Sequence, residues 1–362
     1  MLAASSRKHI ARRAGSGAAQ RSARKAPVCA AWTTEMRTWA LALALLVLLL
    51  PAAQAQETLR ERIKARMEQR RTGNESTAGL QELQVQGRKV LVHLPTGYDA
   101  AKPAPLVLAL HGGGGHAEYM ADDSKYGLQK KADEAGFVVA FPNGYSKLPG
   151  GKFATWNAGG CCGDARDRNV DDVAFARAVV KAIQGRYSID ASRVFATGMS
   201  NGGMMSHRLA CEAADVFRAV ASVAGTDATA SCTPSRPISV LHIHAKDDDH
   251  VLFNGGAGAG AFRDESKVMN FTSVPDTVAR WVQRDHCTAV MQTGPDKPGA
   301  RTGAYCETHT ACTGGVTVQL CVTDTGGHSW PGAPSVRRGK EAASQALDAN
   351  DVIWRFFESS SR

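Results

Sequence analysis

The sequence predicts an α/β fold, with a mostly parallel central sheet and helices on both of its faces. Three observations predict it. Short apolar runs alternate with longer stretches of helix formers through most of the chain, the order that builds parallel sheets. The run Leu106-Val107-Leu108-Ala109-Leu110 is apolar throughout, as a strand covered on both faces requires. The pentapeptide Gly198-Met199-Ser200-Asn201-Gly202 stands where a strand gives way to a helix.

That G-x-S-x-G has the spacing of a nucleophile elbow. Arg193-Val194-Phe195-Ala196-Thr197 precedes it as a short buried strand, and residues 204–210 follow as helix formers. A sharp turn lifts the Ser200 hydroxyl clear of the sheet, and such a backbone tolerates only small neighbours. The helix N-terminus aims backbone N–H groups at the point where negative charge develops. The bland alternative is a glycine-rich loop; the strand–turn–helix context favours the nucleophile.

Composition bounds the rest. A chain of 362 residues, 43% apolar, supports a substantial core. The formal charge of +9 resembles a nucleic-acid signal, yet residues 1–55 hold eight Lys/Arg against one Glu. Without them 35 basic residues face 33 acidic ones, so no electrostatic footprint for nucleic acid remains. Within the leader, residues 36–55 read as a signal peptide beginning at Met36. Arg37 is the charged start, residues 39–50 form an apolar run of twelve, and Ala53-Gln54-Ala55 is the small-x-small cleavage site before Gln56. Twelve residues are too few to span a bilayer, and no Cys follows the site to take a lipid. Residues 1–35 fit no signal-peptide region and read as an early start codon or an extension. The mature chain keeps eight cysteines: Cys161, Cys162, Cys211, Cys232, Cys287, Cys306, Cys312 and Cys321. An even number in an exported chain predicts disulfides. Cys211 with Cys232, and Cys287 with one of the later three, are the candidate pairs. The spacings do not match a zinc site, and neither metal nor cofactor is expected.

In order, residues 56–79 read as a charged arm and linker, and 80–362 as a single domain. Residues 83–94 alternate about Gly87 as a hairpin does. The strand 106–110 ends in His111-Gly112-Gly113-Gly114-Gly115-His116, where backbone can approach a ligand closely. A helix is expected over 123–135 and a strand over 137–141, stopped by Pro142-Asn143-Gly144. The long loop 143–167 carries Trp156 and the Cys161-Cys162 pair; loops of this length are usually functional. A helix over 171–186, with Asn169 or Asp171 as its cap, leads into the elbow. Strands over 217–224 and 238–244 follow. The latter runs into Asp247-Asp248-Asp249-His250, where a hydrolase triad places its acid, although three consecutive Asp also suit a solvated turn. Spacing alone does not choose among them. Residues 254–270 read as Gly/Ala-rich loop, 275–287 as helix, 315–323 as the last strand, and 342–358 as the closing helix. Gly326-Gly327-His328-Ser329-Trp330 places His328 on a glycine-flanked loop, free to swing its ring towards a serine.

The order Ser200, an Asp at 247–249, then His328 is that of an α/β-hydrolase and not of chymotrypsin or subtilisin. In that reading His328 takes the Ser200 proton, the Asp orients the imidazole, and Ser200 attacks an ester carbonyl. The Gly113 and Asn201 N–H groups are the expected oxyanion hole. Trp156 and Trp330 are the candidate substrate-contacting rings, with a core role as the alternative for Trp156.

These segments together resemble the polyhydroxybutyrate depolymerase and feruloyl esterase group of secreted serine esterases. The resemblance is carried by His111-Gly112-Gly113, residues 156–162, 198–203 and 244–256, and Gly327-His328-Ser329-Trp330-Pro331-Gly332. It spans roughly residues 83–335. Aligned on His244 and on Asn254-Gly255-Gly256, it selects Asp248 as the acid, although Ala245 and Lys246 replace the family's Gly and Thr. It implies a secreted esterase acting on an ester substrate; with the leader read above, the mature protein is expected extracellular or periplasmic, with no membrane anchor, and a monomer is expected. The Thr-rich or fibronectin-like linker and separate binding domain of family members that attack solid polyester are not read in this sequence. Feruloyl or acetyl esters of plant polysaccharide are therefore the first expectation, polyester oligomers the second, and a non-catalytic binding relative the third.

Overall fold

The computed structural model describes residues 61, 64, 79–261, 270–293, 303–333 and 342–361. The expected leader, signal peptide and most of the arm and linker lie outside the described residues. The elements below all lie in one compact unit, Met67–Arg362.

Among the described residues ten strands form one sheet, in the order β1-β2-β4-β3-β5-β6-β7-β10-β9-β8. They are β1 (Gln81–Val85), β2 (Arg88–His93), β3 (Ala104–Leu110), β4 (Val138–Pro142), β5 (Ile189–Met199), β6 (Ala219–Val223), β7 (Ser239–Ala245), β8 (Ala289–Thr293), β9 (Ala304–Thr310) and β10 (Val318–Thr323). The six strands β4, β3, β5, β6, β7 and β10 run parallel. Antiparallel pairs flank them on both sides. The helices are α1 (Ala117–Met120), α2 (Leu128–Ala135), α3 (Gly163–Asp167), α4 (Asp172–Gln184), α5 (Asn201–Glu212), α6 (Val274–Arg284) and α7 (Ala349–Ser359).

The pleat of β3 distributes its residues between two cores. Leu106, Leu108 and Leu110 face the side covered by α4, α5 and α6. Val107 and Ala109 face the side covered by α1, α2 and α7. This is why the run is apolar at every position. On the second face Phe357 stacks on Phe195 with ring centroids 4.5 Å apart.

The helix expected over 123–135 begins only at Leu128. Gly127 adopts a left-handed φ of 63°, and the Asp123 carboxylate accepts from the N–H groups of Gln129 (2.8 Å) and Lys130 (2.9 Å). The closing helix begins at Ala349, capped by Asp348, and not at 342. Its first-turn N–H groups need an acceptor that Asp348 supplies. The α4 cap is Asp171, whose side chain accepts from Ala174 N. The antiparallel strands β8 and β9 had no counterpart in the sequence reading. Their residues mix Thr, His, Glu and Gln with apolar ones, so no apolar run marks them.

The eight cysteines pair as Cys161–Cys162, Cys211–Cys232, Cys287–Cys312 and Cys306–Cys321. Cys211–Cys232 ties the end of α5 to the loop after β6. Cys306 and Cys321 stand opposite each other across β9 and β10. Among the described residues no helix is long and apolar enough to cross a membrane.

Candidate active site

Ser200 sits between β5 and α5 with φ 56° and ψ −119°. A non-glycine residue is rarely held there, and such strain is characteristic of functional turns. Two backbone bonds hold it: Ser200 N donates to Val223 O (2.8 Å) and Met204 N donates to Ser200 O (2.9 Å). The elbow closes only because its neighbours lack side chains. A Cβ on Gly202 would collide with Leu110 O, and one on Gly198 with the Gly202 carbonyl.

The glycine loop after β3 lies against this elbow. A Cβ built on Gly112 would stand 3.5 Å from the Ser200 Cβ, and one on Gly113 3.6 Å from the Asn201 Cβ. The loop is anchored from several sides. His111 Nε2 accepts from Gly144 N (2.9 Å), so its Nδ1–H donates to Gly112 O (2.8 Å). Burial pushes the His111 imidazole down to about 4, which keeps it neutral in this role. Gly114 N donates to Ala154 O (2.8 Å), and Ala154 N to Gly115 O (3.0 Å). Asn201 is the first residue of α5, so its N–H has no acceptor within the helix. Its side chain is bonded to the Trp156 backbone.

The acid loop after β7 separates the three aspartates. Asp248 is buried, and its Oδ2 lies 2.8 Å from His328 Nδ1. Its Oδ1 accepts from His250 N (2.8 Å) and Val251 N (2.9 Å), while His244 Nε2 lies 3.3 Å from Oδ2. Burial alone would raise this carboxyl. The His244 and His328 contacts outweigh burial and hold it well below the carboxylate range. Asp247 instead accepts from Gly326 N (3.2 Å) and Gly327 N (2.8 Å), bracing the loop that carries His328. Asp249 faces His250, whose ring stacks on His328 at a centroid distance of 4.4 Å. Sequence spacing could not sort these roles, because each is set by a partner distant along the chain or by which carboxylate turns inward.

Ser200, Asp248 and His328 thus follow the C-terminal ends of β5, β7 and β10, all parallel strands of one sheet. Ligands bind at that edge in open α/β sheets. Asp248, His250 and His328 also present ligand atoms within 4.8 Å of one another. The His328 Nδ1 and His250 Nδ1 atoms are already turned to Asp248 and Asp249.

The two tryptophans require correction. Trp156 is 1% exposed and Trp330 3%, so neither ring is open to a substrate. Trp156 Nε1 donates to His111 O (2.9 Å), and Trp330 Nε1 to Asn350 Oδ1 (3.1 Å). Each large ring fills core and spends its one polar atom on fixing a loop. His244 and His250 were missed as neighbours of the acid. The adjacent His242-x-His244 on a strand was the available signal.

A family model described as esterase PHB depolymerase matches residues 89–280. The chain belongs to this family. The match takes in Ser200 and Asp248 and ends before His328. Feruloyl esterase B of Piromyces equi is 34% identical over 248 residues, covering 67% of this chain and 42% of that protein. The chain therefore spans less than half of that relative. The putative esterase NocK of Nocardia uniformis subsp. tsuyamanensis is 34% identical over 276 residues, covering 73% of this chain and 77% of that one. Acetyl xylan esterase from Aspergillus awamori superposes with a TM-score of 0.52 at 15% identity, covering 78% of this chain and 99% of that one. At that identity the likeness is one of fold, the mostly parallel α/β-hydrolase sheet of this family member.

Proposed function

We propose that the chain is a serine carboxylic-ester hydrolase in which Ser200, Asp248 and His328 form the triad. The observation that carries the reading is the Asp248–His328 pair. A buried carboxylate held ionised at 2.8 Å from Nδ1 fixes that nitrogen as the N–H and leaves Nε2 as the base. His328 Nε2 takes the Ser200 proton as Oγ attacks the ester carbonyl. The Gly113 and Asn201 N–H groups receive the oxyanion. Collapse expels the alcohol, protonated by His328. Water, deprotonated by the same ring, then hydrolyses the acyl-enzyme.

Feruloyl or acetyl esters of polysaccharide are the favoured substrates, because relatives at 34% identity are named feruloyl esterases. Polyester oligomers are the second reading, favoured by the description of the matching family model. Four cystine pairs fit an oxidising compartment, in keeping with export and a signal peptide at 36–55; a single domain over 80–362 that works as a monomer completes the proposal. The test is hydrolysis of p-nitrophenyl acetate, methyl ferulate and a 3-hydroxybutyrate oligomer by protein from Gln56 onward, beside Ser200→Ala. Methyl ferulate turnover above the others, lost in the variant, supports the first reading. Preference for the oligomer moves the function to polyester. No Ser200-dependent turnover defeats the hydrolase reading and leaves a binding role.

A further inference from the structure

Behind the acid lies a line of buried rings that the ester chemistry does not use. Trp281 on α6 is fully buried, as is His207 on α5; His242 and His244 on β7 are each 1% exposed. Trp281 Nε1 lies 3.0 Å from His207 Nδ1. His207 Nε2 lies 3.3 Å from His242 Nδ1, and His242 Nε2 lies 3.0 Å from His244 Nδ1. His244 Nε2 ends the line, 2.8 Å from Val251 O and 3.3 Å from Asp248 Oδ2. The three imidazoles stack in sequence, with interplanar angles of 26° and 13°.

The protons follow from Trp281. An indole N–H only donates, so His207 Nδ1 accepts and the His207 proton sits on Nε2. That proton faces His242 Nδ1, which accepts, so the His242 proton also sits on Nε2. The same step carries through His244. No ring can take a second proton without setting two N–H groups against each other. Burial independently drives His207 down to about 4 and His242 well below its ordinary value.

We propose that Trp281, His207, His242 and His244 form a neutral, one-way hydrogen-bond chain of positioning residues that holds the His244 Nε2–H between Val251 O and Asp248 Oδ2 and so sets how strongly that carboxylate holds His328. The chain deepens the hydrolase reading and rests on it. It also links both arms of the triad, since His207 belongs to the helix that Ser200 starts. The charged groups that face it are Asp227 and Arg284 near Trp281 and His207, and Asp248 at the other end. His328 itself faces Asp248 and stacks on His250, which pairs with Asp249. Without the His244 N–H the Asp248 carboxylate loses a fixed donor and orients His328 less well, which lowers kcat, while its less shared charge favours the charged ring.

The direct test is a long-range 1H–15N spectrum of the full mature chain labelled at histidine. All three rings are expected as Nε2–H tautomers at pH 8, and His207 and His242 stay so down to pH 5. An Nδ1–H tautomer at any of the three at pH 8, or an imidazolium at His207 or His242 in that range, overturns the chain. Trp281→Phe keeps the ring and removes the one fixed donor. Mixed tautomers are expected, with kcat reduced about threefold to tenfold, KM unchanged, and the acidic limb of the kcat profile moved up by about half a pH unit. His244→Gln places an amide N–H where Nε2–H stood and is expected to recover most of the kcat lost in His244→Ala. An unmoved acidic limb in Trp281→Phe, or no difference between the two His244 variants, leaves only a packing role and overturns the proposal. The spectrum needs no substrate. A wild-type chain with no Ser200-dependent turnover therefore defeats the hydrolase reading separately, while the spectrum still decides the chain of protons.

Discussion

The Asn201 side chain grips the Trp156 backbone at both polar atoms: Oδ1 accepts from Trp156 N at 2.7 Å, and Nδ2 donates to Trp156 O at 2.9 Å. Asn201 follows Ser200, the proposed nucleophile, and Trp156 donates its indole N–H to the carbonyl that opens the glycine loop. One amide thus ties together the two segments that supply the expected oxyanion donors. The Trp156 ring is a brace between them and not a platform for substrate.

Asn201→Ala is therefore expected to do more than delete a side chain. It leaves two buried backbone groups of Trp156 without partners, each costing about 1–3 kcal/mol. Urea unfolding should show a loss of about 2–5 kcal/mol, and kcat should fall with the oxyanion geometry. An Asn201→Ala protein as stable as wild type would mean that water or relaxation replaces the clasp.

Ser200 occupies a backbone region that glycine tolerates and serine does not. Ser200→Gly is expected to abolish ester hydrolysis and to raise stability by about 1 kcal/mol, the scale of strain stored at such positions. Ser200→Ala should abolish hydrolysis without that gain. Thermal unfolding of the two variants side by side separates the two effects.

The three aspartates are expected to differ sharply on substitution. Asp248→Asn removes the charge facing His328 and should cut kcat about a thousandfold to ten-thousandfold. Asp247→Ala loosens the loop before His328 and should cost about tenfold or less. Asp249→Ala removes a partner of His250 and should cost least. Steady-state kinetics on p-nitrophenyl acetate checks the order, and a larger loss at Asp247 than at Asp248 would reassign the acid.

Asp285, buried at the end of α6, has its carboxyl pushed up to about 6. Burial is the cause, and the Ile238 N–H at 3.4 Å offsets it only in part. Its Oδ2 has no hydrogen-bond partner among the described residues. The folded chain therefore keeps a proton that the unfolded chain releases near pH 4. Stability should fall as pH rises from about 4 through 6, and the penalty persists above that, at about 1–3 kcal/mol. Asp285→Asn is expected to remove this dependence, measured as the difference in unfolding free energy between pH 5 and pH 8.

The sequence by itself determined the parts whose geometry is local. A tight turn between strand and helix demands glycines at set offsets, so the elbow at Ser200 was legible. So were the strands β3, β4 and β6, because burial on both faces leaves no regular polar alternation, and the order of Ser200, the expected acid and His328. The family resemblance further selected Asp248. What only the tertiary structure decided depends on residues far apart in sequence. Which of three adjacent carboxylates turns inward is set by His328, eighty positions away. Whether Trp156 meets substrate or core is set by Asn201 and His111, each forty-five positions away. The line from Trp281 to Asp248 exists because α5, β7 and α6 pack on one another, bringing side chains from three elements into register. Hydrogen-bond direction adds the last constraint, and it passes from ring to ring only once they touch.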